Sequence, residues 1–118
     1  FNTGGLAGQI QYALIETCVS DGIVNGGWDT GGLIGKSEGY NTSQTIINYI
    51  NNSHSNAVVT GANDHTGGLI GYINFCTSVT NCYSTGNVSG TAYVGGLLGY
   101  NYYRTIINDC FSSGNVKR

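Results

Sequence analysis

Residues 66–71 read Thr66-Gly-Gly-Leu-Ile-Gly71, and this six-residue segment decides the fold because the chain repeats it. The other versions are Thr3-Gly-Gly-Leu-Ala-Gly8, Thr30-Gly-Gly-Leu-Ile-Gly35 and Val94-Gly-Gly-Leu-Leu-Gly99. Starts at residues 3, 30, 66 and 94 give steps of 27, 36 and 28 residues. Periods of this length are typical of solenoids, in which each repeat forms one coil of a stack. We therefore predict a single domain, residues 1–118, with repeats at 3–29, 30–65, 66–93 and 94–118.

A second block recurs in the later half of the repeats. Asn81-Cys-Tyr-Ser-Thr-Gly-Asn-Val88 matches Asp109-Cys-Phe-Ser-Ser-Gly-Asn-Val116, and Thr17-Cys-Val-Ser-Asp-Gly-Ile-Val24 is a weaker copy. The second repeat departs most from this pattern. Its length predicts extra residues after the glycine segment and again between Asn51 and Asn56.

The composition favours strands over helices. Glycine accounts for 20 of 118 residues, and Asn, Ser and Thr are abundant, which disfavours helix interiors. We predict an all-β fold, a right-handed parallel β-solenoid (β-helix) of about four coils of 25–36 residues each. The glycines would permit a corner with positive φ or a close approach of two sides of a narrow coil. The leucines of the glycine segment would form one buried ladder, Leu6, Leu33, Leu69 and Leu97.

The two blocks together resemble GLUG-motif repeats, whose signature is Gly-Leu-hydrophobic-Gly followed by a block like Asn-Cys-Tyr-Ser-Thr-Gly-Asn-Val. The likeness is strong over residues 66–116 and weaker over residues 3–65, where Ala7 replaces an aliphatic residue. GLUG repeats occur in tandem in large secreted and surface-attached microbial proteins, including adhesins and the non-catalytic parts of some immunoglobulin-A peptidases. The resemblance implies an extracellular repeat module, secreted or at the cell surface. It implies no enzyme, ligand or binding residue.

Several function classes are disfavoured by the residues themselves. A net charge of −2 with only four basic residues gives no basic stripe for nucleic acid. No apolar run approaches the ~20 residues of a membrane helix, so we expect no membrane insertion. His54 and His65 lack zinc-ligand spacing and are expected in loops of the second repeat. We predict no catalytic residue, no metal and no cofactor, and hence no enzyme.

The four cysteines leave three possibilities open. The repeat alignment places Cys18, Cys82 and Cys110 in one column, with Ile50 as the equivalent in the second repeat. Cys82 and Cys110 would lie on adjacent coils, about 4.8 Å apart at Cα, within reach of a disulfide. Cys76 would alternatively bond Cys82 across a bend. In the third possibility the column is a buried ladder of reduced thiols.

Features near the surface and the ends suggest secretion and processing. Asn41, Asn51 and Asn87 begin N-glycosylation sequons, so they are candidate glycan sites. Lys117-Arg118 is a dibasic pair of the kind that processing proteases cut after. A further copy placed after Arg118 would continue the repeat almost in register. Because open solenoid ends invite pairing, we expect copies to stack head to tail.

Three functions remain as expectations. The first is a non-enzymatic extracellular structural module that stacks into a filament or longer array, with another copy of itself as partner. The alternative is an adhesion module that binds a glycan or a host surface protein through exposed aromatics, for which Tyr102 and Tyr103 are the candidates. Ice binding by the column of Thr3, Thr30 and Thr66 is disfavoured because Val94 ends that column.

Overall fold

The computed structural model describes residues 1–39 and 45–118, and this part of the chain contains strands and no helix. The strands fall into four coils with five short strands each. Coil 1 contains β1 Thr3–Gly4, β2 Ala7–Ile10, β3 Leu14–Glu16, β4 Val19–Ser20 and β5 Ile23–Gly26. Coil 2 contains β6 Thr30–Gly31, β7 Ile34–Glu38, β8 Asn48–Asn51, β9 His54–Ser55 and β10 Val58–Gly61. Coil 3 contains β11 Asp64–Gly67, β12 Ile70–Asn74, β13 Thr77–Thr80, β14 Tyr83–Ser84 and β15 Val88–Ser89. Coil 4 contains β16 Ala92–Gly95, β17 Leu98–Asn101, β18 Thr105–Asn108, β19 Phe111–Ser112 and β20 Val116–Lys117.

Every coil contributes one strand to each of five parallel sheets. The sheet orders are β1-β6-β11-β16, β2-β7-β12-β17, β3-β8-β13-β18, β4-β9-β14-β19 and β5-β10-β15-β20. Equivalent residues therefore lie in columns along the stack, as Thr3, Thr30, Thr66 and Val94 do. This topology confirms the predicted all-β parallel solenoid of four coils. The molecule measures 33 × 26 × 19 Å.

The extra length of coil 2 lies almost entirely at one corner. Glu38 pairs with Asn74 and Asn48 pairs with Thr77, so ten residue steps in coil 2 match three in coil 3. From Asn48 through Thr60 the register between coils 2 and 3 stays constant, so neither coil has an extra residue in this stretch. The prediction of extra residues between Asn51 and Asn56 is therefore wrong. The physical reason is that an insertion inside a paired strand would reverse which side chains point inward.

The glycine segment lets the two sides of each coil touch. The second glycine of each segment faces a serine of the second block across the interior, in the pairs Gly5/Ser20, Gly32/Ser55, Gly68/Ser84 and Gly96/Ser112. A Cβ added to Gly68 would overlap both the Ser84 Oγ and the backbone oxygen of Gly96 in the next coil. Among the described glycines only Gly22, outside these segments, has a positive φ. Close approach, and not a left-handed corner, is thus the reason for these glycines. We call the four contacts the glycine–serine pinch.

The glycine–serine pinch divides the interior into two apolar cores. The larger core lies between the β7 and β8 sides of the coils and is built from Ile10, Leu33, Ile34, Ile50, Leu69, Ile70, Ile73, Val79 and Cys82. The smaller core lies on the β10 side and is built from Val24, Ala57, Val59 and Val88. Two polar side chains of the interior, Ser37 and Thr77, bond each other, with Oγ and Oγ1 2.7 Å apart. Burial of these columns between neighbouring coils supplies most of the hydrophobic stabilisation.

We expect Gly68→Ala to lower the free energy of unfolding by at least about 3 kcal/mol, because backbone must move to admit the methyl group. Gly27→Ala is the matched control, since its Cβ would lie 3.6 Å from Asn63 Nδ2, an ordinary van der Waals distance. The control should stay within about 0.5 kcal/mol of the parent chain. Urea denaturation followed by circular dichroism measures both. Equal midpoints for the two variants would show that the close approach is not needed.

Replacing Thr66 with valine should stabilise the fold by about 1 kcal/mol. Among the described residues the buried Thr66 Oγ1 finds no hydrogen-bond partner, and Val94 already occupies the next position of the same column. The control is Thr77→Val, because Thr77 Oγ1 bonds Ser37 Oγ and also donates to Phe75 O at 3.1 Å. That variant should lose about 1–2 kcal/mol. Thermal unfolding shifts of the same sign in both variants would contradict this account.

Candidate functional site

The two terminal coils present open faces in which normally buried columns are exposed. Leu33 and Leu69 are 0% exposed, whereas Leu6 of coil 1 is 48% exposed in the same column. Leu97, at the other end of that column, is partly buried. Val88 is 1% exposed, but its coil 4 neighbour Val116 is 48% exposed. We call these surfaces the coil 1 face and the coil 4 face.

The two faces also differ in charge. Residues 1–29 carry Glu16, Asp21 and Asp29 and no lysine or arginine. Residues 90–118 carry three basic residues, Arg104, Lys117 and Arg118, against one acid, Asp109. The coil 1 end is therefore acidic and the coil 4 end basic.

Residues of the cysteine column make the same hydrogen bond at one corner of each coil. Cys18, Cys82 and Cys110 follow residues with left-handed backbone, as at Asn81 with φ 56°. Each thiol donates to the carbonyl two residues earlier: Cys18 to Glu16 O at 3.4 Å, Cys82 to Thr80 O at 3.3 Å and Cys110 to Asn108 O at 3.2 Å. The coil 2 residue in this column is Ser53, because His54 pairs with both Val19 and Tyr83. Ser53 makes the same bond, to Asn51 O at 2.8 Å.

The expected place of Ile50 in this column is therefore wrong. Ile50 pairs with Ile15 and Val79 in the larger core. A serine replaces the cysteine at the corner because the position needs a short side chain that donates a hydrogen bond.

No disulfide joins the four cysteines. Cys76 and Cys82 lie beyond opposite ends of the four-residue strand β13, which alone spans about 13 Å, too far for a disulfide. The structure thus contains neither of the two disulfides that the sequence left open, Cys82–Cys110 and Cys76–Cys82. Burial raises the pKa of the Cys82 thiol, and the nearby Cys110 adds to the rise. A raised thiol pKa keeps Cys82 protonated and slow to react.

Aromatic rings stack along one outer column. The ring centroids of His54 and Tyr83 are 4.3 Å apart, and those of Tyr83 and Phe111 are 4.9 Å apart, in nearly parallel planes. Phe111 is 56% exposed at the coil 4 face and Val19 is 56% exposed at the coil 1 face. This column therefore ends in an exposed apolar side chain at each face, Val19 at coil 1 and Phe111 at coil 4.

Tyr102 and Tyr103 lie at the surface, beside Phe75. They are 56% and 49% exposed, and their rings meet Phe75 edge-on at 5.0 Å and 5.6 Å. These contacts hold both tyrosines on coil 4 with about half of each side chain in solvent.

A second cluster, which the sequence analysis missed, surrounds His65. Its Nδ1 is 2.7 Å from Asp29 Oδ1, and its ring stacks on Tyr72 at 4.7 Å and on Tyr100 at 5.0 Å. Burial raises the pKa of Tyr72, with Tyr100 and Asp29 adding to the shift, so this phenol stays neutral. The expectation that His54 and His65 lie in loops is wrong, since they belong to β9 and β11. Among the described residues no group of three potential ligands is placed to hold a metal ion.

The candidate modification sites have different surroundings. Asn41 lies outside the described residues. Asn51 is half-buried in β8, and the hydroxyl of its sequon, on Ser53, is buried. Asn87 is exposed, and its Oδ1 accepts from the Asn115 backbone at 3.0 Å.

The dibasic pair is tied to coil 3. Lys117 belongs to β20 and pairs with Ser89, and Arg118 Nε donates to Thr91 O at 3.0 Å. Cleavage beside this pair requires the end of β20 to detach from β15.

Comparison with known proteins identifies the last two coils. The family model of the GLUG motif matches residues 62–89 and 90–117, so these segments are GLUG repeats and the resemblance is confirmed. GLUG repeats are modules of secreted or surface proteins. No curated protein and no solved structure matches the chain significantly. Within the described residues no helix is long and apolar enough to span a bilayer.

We expect four thiols to react with iodoacetamide after denaturation, with or without prior reduction. In the folded chain Cys76 and Cys82 should react at least about tenfold more slowly than the part-exposed Cys18 and Cys110, because both side chains are buried and burial also raises the pKa of the Cys82 thiol. Mass spectrometry of the labelled peptides measures both results. Labelling of only two cysteines without reduction would contradict the structure, because it would show that the other two form a disulfide.

Proposed function

We propose that this chain, whose third and fourth coils are GLUG repeats, is a non-enzymatic extracellular structural module that stacks end to end into a filament or a longer solenoid array. The observation that carries the proposal is the exposure of inward columns at both faces. Leu6, Ile107 and Val116 are 40–48% exposed there, whereas their partners Leu33, Val79 and Val88 are buried, with at most 1% exposure. Exposed apolar patches of this kind mark surfaces that are covered in the working assembly.

Column-by-column complementarity supports a second copy as the occupant. If β16–β20 of one copy receive β1–β5 of the next, every column continues: Leu97 meets Leu6, Ile107 meets Ile15, Cys110 meets Cys18, Ser112 meets Ser20 and Val116 meets Val24. Parallel strands at both faces supply the backbone hydrogen bonds of such a junction. The same translation repeats at each new face, so this heterologous contact builds an open filament.

The glycine–serine pinch restricts what can cover a face. A Cβ on Gly68 would overlap the backbone oxygen of Gly96 in the next coil. A coil that covers the coil 1 face at normal strand spacing must therefore have glycine in this position, because its Cβ would point at the backbone oxygen of Gly5. The coil 4 face offers Gly96 there, which few unrelated surfaces would do.

Charge supports the same direction of stacking. The acidic coil 1 end would meet the basic coil 4 end, whereas head-to-head contact would bring like charges together. Such complementarity chiefly sets orientation and association rate, and salt screens it.

Sedimentation velocity and electron microscopy at rising protein concentration test this proposal. The parent chain should form rods that lengthen with concentration. Val116→Asp should block assembly, because it places a carboxylate at the coil 4 face opposite acidic coil 1. Val58→Asp is the matched control, since Val58 is 45% exposed on the side of coil 2, and it should assemble like the parent chain.

A monodisperse monomer at high concentration and low salt would refute the stacking of separate copies. Equal loss of assembly in both variants would also refute it, because the side of coil 2 takes no part in an end-to-end junction. Circular dichroism of each variant establishes that the coils are folded.

Adhesion is the second candidate function, favoured by the exposed rings of Tyr102 and Tyr103. Tyrosines that are held at the surface provide large contact area with little loss of conformational entropy. Loss of cell-surface binding in Tyr103→Ala, with assembly unchanged, is the outcome that favours this function over a purely structural one.

A further inference from the structure

Two outward columns face each other on the side of the stack. One precedes the glycine segment and contains Asn2, Asp29, His65 and Tyr93, and the other follows it and contains Gln9, Lys36, Tyr72 and Tyr100. In coils 1, 3 and 4 the two members touch: Asn2 Nδ2 lies 2.9 Å from Gln9 Oε1, and the ring centroids of His65 and Tyr72 and of Tyr93 and Tyr100 are 4.7 Å and 5.0 Å apart. We call this surface the paired columns.

The side chains of the paired columns differ in chemical type from coil to coil, whereas those of the inward columns stay alike. Coil 1 contributes two amides, coil 2 an acid and a base, and coils 3 and 4 contribute rings. Glycine brings the columns together, since a Cβ on Gly35 would lie 2.7 Å from Asp29 O. The fold thus fixes the spacing of these side chains and leaves their chemistry free.

A groove of about 480 Å³ opens on the paired columns at coils 1 to 3. Its lining includes Asn2, Trp28, Asp29, Lys36, His65 and Tyr72. Trp28 is 44% exposed, although it is large and apolar. The volume lies in the range of small-ligand sites.

The charges of the groove are paired within the protein. Asp29 bonds His65, and Lys36 Nζ lies 3.0 Å from Glu38 Oε1. Lys36 Nζ also lies 5.4 Å from the centre of the Tyr72 ring. A cationic ligand would meet Lys36 at that ring, and an anionic ligand would meet Asp29 and Glu38. The site therefore favours a neutral ligand with hydrogen-bonding groups.

We propose that this groove binds a neutral saccharide. A pyranose ring has an apolar C–H face that packs on Trp28, and equatorial hydroxyls that bond carboxylate, ammonium and imidazole groups at its edge. The Tyr72 phenol, which stays protonated, adds a donor and acceptor. The groove is built within coils 1 to 3, so the proposal does not depend on stacking.

Trp28 is the only tryptophan of the chain, and its fluorescence therefore reports on the groove directly. The full chain is titrated with neutral tetrasaccharides of glucose, galactose, mannose and N-acetylglucosamine, to about ten times the ~1 mM dissociation constant of a weak open site. Choline and a uronic-acid tetrasaccharide serve as charged comparisons. We expect at least one neutral tetrasaccharide to shift the emission saturably and neither charged probe to do so.

Calorimetric titration of two variants locates the binding. Trp28→Ala should weaken binding at least about tenfold. Tyr49→Ala, which alters a tyrosine of similar exposure (43%) outside the groove, should bind like the parent chain, and unchanged thermal unfolding shows that both variants are folded.

Three outcomes would overturn the saccharide proposal. They are no response to any neutral tetrasaccharide, a stronger response to choline or to the uronic acid, and loss of binding in Tyr49→Ala but not in Trp28→Ala. Sedimentation of the same samples is scored separately, so a failure of stacking is distinguishable from a failure of this site.

Discussion

The contact of a glycine with a serine across each coil is the constraint on which the rest of the structure depends. It explains why the Gly-Gly-Leu segment and the Cys-x-Ser block recur together, since one supplies the space and the other the small side chain that fills it. Without it, the two sides of a coil would separate and the two apolar cores would merge. Leu33 and Val59 are fully buried because the pinch keeps each core narrow enough for single side chains to fill. The pinch also makes neighbouring coils stack at strand spacing.

Much of this architecture could be predicted because columns follow from periodicity. Thr3 pairs with Thr30, Tyr72 with Tyr100 and Tyr83 with Phe111, as expected from matching repeats. Matching the repeats by residue type gave the wrong register where two different residue types make the same hydrogen bond. Ser53 replaces a cysteine since a hydroxyl makes the corner bond as well as a thiol, and no pattern of hydrophobic residues reveals this.

The groove and the His65 cluster could not be predicted from the sequence, for a different reason. Asp29 and His65 are 36 residues apart and meet because coil 2 carries extra residues at a corner that leave the column register intact. Trp28 occurs once, so no repeat points to it. Repetition identifies what holds the coils together, whereas recognition surfaces arise from the positions that differ between coils. Those positions are outward-facing, where neither core nor pinch limits the side chain.

The opposite charges of the two ends give the module an electric dipole along its stacking direction. In a head-to-tail filament these dipoles would add, so the two tips would be chemically distinct and growth at each would respond differently to salt. Neighbouring filaments would repel when aligned the same way and attract when aligned oppositely. A material made from such units would therefore favour antiparallel bundles, in which lateral cohesion comes from the asymmetry of a single chain.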